Sequence, residues 1–177
     1  MRTLSLILVS SATLLLAGCP SQPVTPEQDP AGVSDANRQG VTTGIDTSGV
    51  DGADITLLRD PKNALSQRAI FFDLDSYVVK DEYRSLLGAH AKFLNDRPKR
   101  KMLIQGNADE RGSREYNLAL GQKRSEAIKK ALGLMGVREE QLEAVSLGEE
   151  KPRCNDASEE CWGQNRRGDM LYPGLTD

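Results

Sequence analysis

QGNADERGSREYNLALGQKR, residues 105–124, holds the end of a strand, a polar loop and the first turns of a helix. Just before it, Met102, Leu103 and Ile104 form an apolar run of strand length. Residues 107–112 are polar and glycine-bearing, as a connection should be. Ser113 is a helix-capping residue type, because its hydroxyl can accept from an otherwise unpaired backbone N–H. Ala119, Leu120, Ala127, Ile128, Ala131 and Leu132 then recur at helical spacing to about Met135, and Gly136 supplies a stop. Asp109 falls on the strand-to-helix connection, where functional groups of α/β proteins gather. Asn117 and Arg124 are seven residues apart on one helical stripe, and a helical arginine leans toward the helix N-terminus. One small cleft is therefore expected between Asp109 and Arg124, with a carboxylate for an ammonium group and a guanidinium for a carboxylate. Glu110, Arg111, Arg114, Glu115 and Lys123 are read as solvated surface.

Outward from this unit the pattern repeats. Residues 69–74, AIFFDL, form a buried strand ending at Asp75 and Ser76, and Asp81 is placed to cap a helix. Tyr83, Leu86, Leu87, His90, Ala91 and Leu94 make that helix amphipathic up to Pro98. His90 is on the stripe, so it reads as a core or interface residue and not as a metal ligand. The basic cluster Lys99, Arg100 and Lys101 reads as a solvated turn. Residues 142–147 form a third strand, and 167–172, interrupted by Gly168, a last one. This order implies an α/β (α+β) sandwich: a small mixed sheet of about four strands with helices packed on one face.

The chain has 177 residues and a net charge of −3, which gives no basic surface for nucleic acid. Residues 1–18 have a lone Arg2, an apolar run from Leu4 to Leu16, and small residues before Cys19, the layout of a signal peptide. The run falls short of the roughly 20 residues a membrane helix needs. Leu16-Ala17-Gly18-Cys19 resembles the lipobox of bacterial lipoproteins, which implies S-diacylglycerol and N-palmitoyl groups on Cys19 and anchorage without a membrane crossing. Residues 19–66 are rich in Pro, Gly, Ser, Thr and Asp and contain no aromatic residue, so they read as a linker, with docking of residues 55–58 left open. Residues 67–177 form the folded domain. Cys154 and Cys161 read as a structural disulfide, a redox or metal site being the alternative.

Catalytic chemistry finds little to work with. His90 is the one histidine, no G-x-S-x-G occurs, and Asp109 and Glu110 are adjacent, whereas an acid/base pair must flank a bond. Binding is the better reading. The alternatives are a cell-wall hydrolase or amidase and a scaffold that binds only proteins.

The spacing of Gly106, Asp109, Gly112, Tyr116, Asn117, Leu120 and Arg124 resembles the signature of OmpA-like peptidoglycan-binding domains. FFDLDSYVV, VSLGEEKP and NRR at 165–167 extend the resemblance over residues 68–172. It implies a nonenzymatic domain that holds the meso-diaminopimelate of the peptidoglycan stem peptide. Asp109 is implied to bind the ammonium and Arg124 the carboxylate, with Asn117 between them. Asp75, Ser76 and one of Arg166 and Arg167 are implied to complete the pocket. The anchor and the resemblance together imply an outer-membrane lipoprotein facing the periplasm, linking membrane to wall and working with Tol proteins, TolB among them, in cell division. No metal or other cofactor is expected. Two departures stand out: Asn107 replaces the usual histidine, and Gly168 replaces an apolar residue.

Overall fold

Ile70, Met102, Ile104 and Met170 alternate with less buried neighbours along their strands. In the computed structural model, which describes residues 52–175, they enter one core under a four-stranded sheet. The elements in chain order are α1 (Gly52–Arg59), β1 (Ala69–Phe71), α2 (Arg84–Asn95), β2 (Met102–Asn107), α3 (Arg114–Leu134), β3 (Leu142–Gly148), α4 (Glu159–Asn165) and β4 (Arg167–Leu171). The strand order is β1-β4-β2-β3. β2 and β3 are parallel, as the helical crossover through α3 requires, while β4 runs antiparallel to both β1 and β2. Leu87, Ala91 and Leu94 of α2 and Ile128 and Leu132 of α3 fill the space against the sheet, so the sheet is mixed and its helices share one face. The signal peptide expected over residues 1–18, the lipidation expected at Cys19 and the linker expected up to residue 51 lie outside the described residues.

Two glycines set how closely α3 approaches. A Cβ on Gly121 would come within 2.7 Å of the Gly106 carbonyl oxygen, and one on Gly106 would collide with the Gly121 carbonyl. Helix and strand backbones therefore touch at this point. That contact brings the next turn of α3, which carries Arg124, against the end of β2. Ser113 caps the helix, accepting from the Tyr116 N–H at 3.2 Å, and Gly136 ends it with a left-handed φ of 91°.

Several expectations need correction. β1 stops at Phe71 and not at Leu74, because the chain turns at Asp75, whose φ is 53°. Asp81 starts a single 3₁₀ turn ahead of α2 and does not cap the helix itself. Gly168 does not weaken the last strand. It pairs with Ile70 on one side and Gly106 on the other, and Ile128 Cδ1 occupies the space a Cβ would need. The packed domain also begins earlier than residue 67. Leu58 and Leu65 are buried in the core, and Asp54 is clamped by Arg97 Nε at 2.6 Å and Arg100 Nη2 at 2.7 Å. Arg100 thus turns inward from its basic cluster. α4, which the sequence reading lacked, carries Cys161, and the disulfide ties it to Cys154 in the preceding loop.

His90 is fully buried between α2 and the end of β4. Its Nε2–H donates to the Gln67 carbonyl at 2.9 Å, so the neutral ring accepts at Nδ1 from the Tyr172 hydroxyl at 2.8 Å. Burial holds its pKa below the ordinary 6.5.

Candidate functional site

β2 ends at Asn107 with an irregularity in its pairing to β3, and Ala108 N–H continues toward β3 by donating to the Gly148 carbonyl at 2.7 Å. The chain then leaves the sheet at Asp109. The carboxylate shapes the loop: Oδ1 accepts from the Arg111 backbone N–H at 3.1 Å, an Asx turn. Gly112, at φ 106°, completes the reversal into α3.

Four donors converge on Asp109. Besides the backbone N–H, Arg111 donates Nε–H to Oδ1 at 3.1 Å and Nη2–H to Oδ2 at 2.8 Å, and Arg166 donates Nη1–H to Oδ2 at 3.3 Å. Burial alone would raise the Asp109 pKa. The bonds from the Arg111 side chain and backbone and from Arg166 outweigh it, so the carboxyl lies below its usual range. Arg166 also donates Nε–H to the Phe72 carbonyl at 3.2 Å and Nη2–H to Glu159 at 2.6 Å. The Arg111 guanidinium carbon sits over Trp162, 4.2 Å from the ring centroid, with Nη1 3.4 Å from Glu159.

Arg124 is 0% exposed. Nε–H donates to the Ser76 carbonyl at 2.8 Å, Nη1–H to the Asn107 carbonyl at 2.8 Å and Nη2–H to the Asp73 carbonyl at 3.2 Å. The guanidinium thus pins the 73–76 turn to the end of β2, with the Phe72 ring 5.3 Å away. Burial pulls its pKa down to about 10, against the opposing charge of Asp109. An arginine has five N–H groups. The three carbonyls therefore leave one hydrogen on each terminal nitrogen.

The remaining residues sort around this centre. Asp75 accepts from the Tyr116 hydroxyl, and Ser76 contributes its backbone carbonyl to Arg124. Asn117 is buried, and its Nδ2–H donates to Glu149. Of the two arginines in the 165–167 motif, Arg166 reaches Asp109, whereas Arg167 pairs with Asp169 at 2.8 Å and with the Lys151 carbonyl. Asn107 gives its carbonyl to Arg124 while its side chain donates to the Gln105 carbonyl and, at 3.4 Å, to Asp169. Among the described residues, Asn107 Oδ1 and Arg167 Nη1 are buried without a hydrogen-bond partner. Ala108 and Glu110, the sequence neighbours of Asp109, line a cleft of about 300 Å³ together with Glu149, Glu150, Trp162 and Asn165.

Asp109 is bonded to Arg166 and Arg124 to the Asn107 carbonyl, two residues before Asp109, and the centre is closed: Asp109 is only 5% exposed. Arg111, Trp162 and Glu159 belong to it and were missed. Arg111 looked like one more charge in a polar loop, and the Trp162 platform that holds it lies fifty-one positions downstream.

The model of the OmpA family matches residues 71–166, the span that contains every group of this centre. The chain belongs to the OmpA family. Relatives within the family bear the name peptidoglycan-associated lipoprotein. That of Pasteurella multocida is 44% identical over 110 residues, 61% of this chain and 73% of its own. That of Pseudomonas putida is 37% identical over 159 residues, 90% of each chain. The crystal structure of the peptidoglycan-associated lipoprotein from Burkholderia pseudomallei is 56% identical with a TM-score of 0.64, covering 65% of this chain and 98% of that one. The C-terminal domain of Helicobacter pylori MotB, 22% identical with a TM-score of 0.56, shares the OmpA-family fold.

Proposed function

We propose that this OmpA-family chain is an outer-membrane lipoprotein whose periplasmic domain binds peptidoglycan noncovalently through the meso-diaminopimelate of the stem peptide. The relatives' shared name supports the wall as ligand, and the Leu16–Cys19 lipobox supports the anchor. The observation that carries the reading is that Arg166 joins Asp109 to the Phe72 carbonyl, while Arg124 lies 5.3 Å from the Phe72 ring and bonds Asn107 at the end of β2. The free end of diaminopimelate has an ammonium and a carboxylate on one carbon, and Asp109 supplies a carboxylate for the one while Arg124 and Arg166 supply guanidinium groups for the other. The domain catalyses nothing in this reading: it holds the wall while acyl chains on Cys19 hold the membrane, with Tol proteins, TolB in particular, as partners during envelope constriction in division.

Sedimentation with intact sacculi tests the proposal. The wild-type chain pellets with walls containing diaminopimelate and pellets less with walls containing lysine, which lacks the second carboxylate. Asp109→Asn, which keeps the shape but not the charge, stays largely in the supernatant. Wild type remaining in the supernatant would falsify the reading, as would Asp109→Asn binding undiminished. Release of soluble muropeptides during the incubation would point to a hydrolase instead.

A further inference from the structure

A carboxylate offers about four lone-pair positions. Asp109 has all of them occupied: two by the backbone and side-chain N–H groups of Arg111 on Oδ1, and two by Arg111 Nη2–H and Arg166 Nη1–H on Oδ2. An ammonium group can bind Asp109 only if a resident donor leaves. The backbone N–H is fixed by the Asx turn. Arg166 is held from three sides, by the Phe72 carbonyl, Glu159 and Asp109, and its side chain is 9% exposed. The Arg111 side chain is 32% exposed, is fixed by no backbone carbonyl, and supplies two of the four bonds.

The geometry points to Arg111 as a resident cation that closes the site. It occupies Asp109 in the unliganded domain, and the ligand's ammonium must displace it. This rests on the reading of diaminopimelate as ligand and adds the residue that competes with it. The displaced guanidinium has somewhere to go. Trp162 lies beneath it at 4.2 Å and Glu159 is 3.4 Å from Nη1, so Arg111 can slide off Asp109 without giving up its stacking or its second carboxylate. Both residues lie on α4, which the Cys154–Cys161 bridge ties to the preceding loop. Charge makes the competition selective. A neutral or anionic group gains nothing by displacing a guanidinium from a carboxylate, whereas an ammonium replaces like with like. Arg111 thus sets how tightly an ammonium is held, while the discrimination against a ligand without one lies with the Asp109 carboxylate.

The test compares wild type, Arg111→Gln and Arg111→Lys by calorimetric titration with two probes. One is a soluble stem tripeptide ending in meso-diaminopimelate, and the other is the same tripeptide with its free amino group acetylated. Removing the competitor raises the affinity of Arg111→Gln for the free-amine tripeptide by about 1.5- to fivefold, the range for a partly exposed ion pair. Arg111→Lys, which keeps the charge without the fork, falls between the two. The acetylated tripeptide gains nothing in either variant, a discrimination that a merely structural role for Arg111 would not produce. Arg111→Gln binding the free-amine tripeptide equally or more weakly, while wild type binds it well, overturns the inference and leaves the wall-binding reading intact. The same loss on both probes would make Arg111 a holder of the ligand's carboxylate. Failure of wild type to bind the free-amine tripeptide overturns both readings together.

Discussion

Replacing Gly168 by alanine should destabilise the domain, and shortening Ile128 should restore much of the loss. Gly168 is the second residue of β4, paired with Ile70 and Gly106, and Ile128 Cδ1 fills the position its side chain would take. Ile128 is itself 0% exposed, so it cannot swing into solvent to make room. Overpacking a core by a methyl group costs about 1–3 kcal/mol. Relief of the glycine's entropy in a strand offsets about 0.5–1 kcal/mol of that. Gly168→Ala is therefore expected to lose up to about 2.5 kcal/mol. Ile128→Val removes Cδ1 itself and alone costs about 0.5–1.5 kcal/mol. In the double variant the alanine methyl enters the space that Cδ1 vacates, so the loss should fall below about 1 kcal/mol, less than either sum of singles allows. Urea unfolding of the four proteins gives the coupling energy directly, provided the m-values agree. Additivity to within about 0.5 kcal/mol would refute the argument that this glycine is the counterpart of Ile128.

Gly121→Ala should be worse than Gly168→Ala, since its Cβ meets the Gly106 carbonyl backbone and Ser146 Oγ, and backbone yields less than a side-chain tip; thermal melts of the two variants give the order. Stability should decline as pH falls below 6.5, the ordinary histidine value, because His90 is held neutral in the fold and the unfolded chain takes up the proton first; His90→Gln should flatten that part of a stability-versus-pH curve measured above pH 5. Asp54→Asn should release α1, at a cost of about 1–2 kcal/mol once solvent screening of Arg97 is allowed for, visible as faster amide exchange confined to residues 52–66. Reducing the Cys154–Cys161 bridge should cost about 2–2.5 kcal/mol on the loop-entropy model, with the loss read by denaturant unfolding.

What could be read from the residues alone was mostly local. The Ser113 cap, the Gly136 stop and the burial of His90 each follow from neighbours within a few positions, and each is present. The mixed sheet followed from the order of periodic segments. The misses have partners far along the chain. Residues 52–66 looked like linker because nothing near them is aromatic, yet Asp54 finds Arg97 and Arg100 more than forty residues on. α4 is seven residues long and opens with two glutamates, too short for a helical period to stand out. Arg111 is the most consequential miss, because its role depends on Asp109, Glu159 and Trp162 at once. Arg167 looked equivalent to Arg166, but Arg166 sits at the end of α4, where it bonds the Phe72 carbonyl and Asp109, whereas Arg167 opens β4 and pairs with Asp169.

Arg124 demands a different kind of test from Asp109. Its guanidinium serves three backbone carbonyls, of Asp73, Ser76 and Asn107, and is fully buried. Arg124→Met would leave those acceptors unpaired, and each buried unsatisfied group costs about 1–3 kcal/mol. Their sum, about 3–6 kcal/mol if part of the turn relaxes, is a large share of the 5–15 kcal/mol that a typical domain possesses. Loss of wall binding in Arg124→Met would therefore say nothing about ligand contact unless the fold is measured alongside. The expectation is that Arg124→Met lowers the urea midpoint and speeds amide exchange in the 73–76 turn even in the absence of peptidoglycan, while Asp109→Asn leaves that turn protected. If Arg124→Met proves as stable as wild type and its turn as protected, the carbonyl contacts are not what holds the turn to β2, and the burial of this arginine has to be explained by the ligand alone.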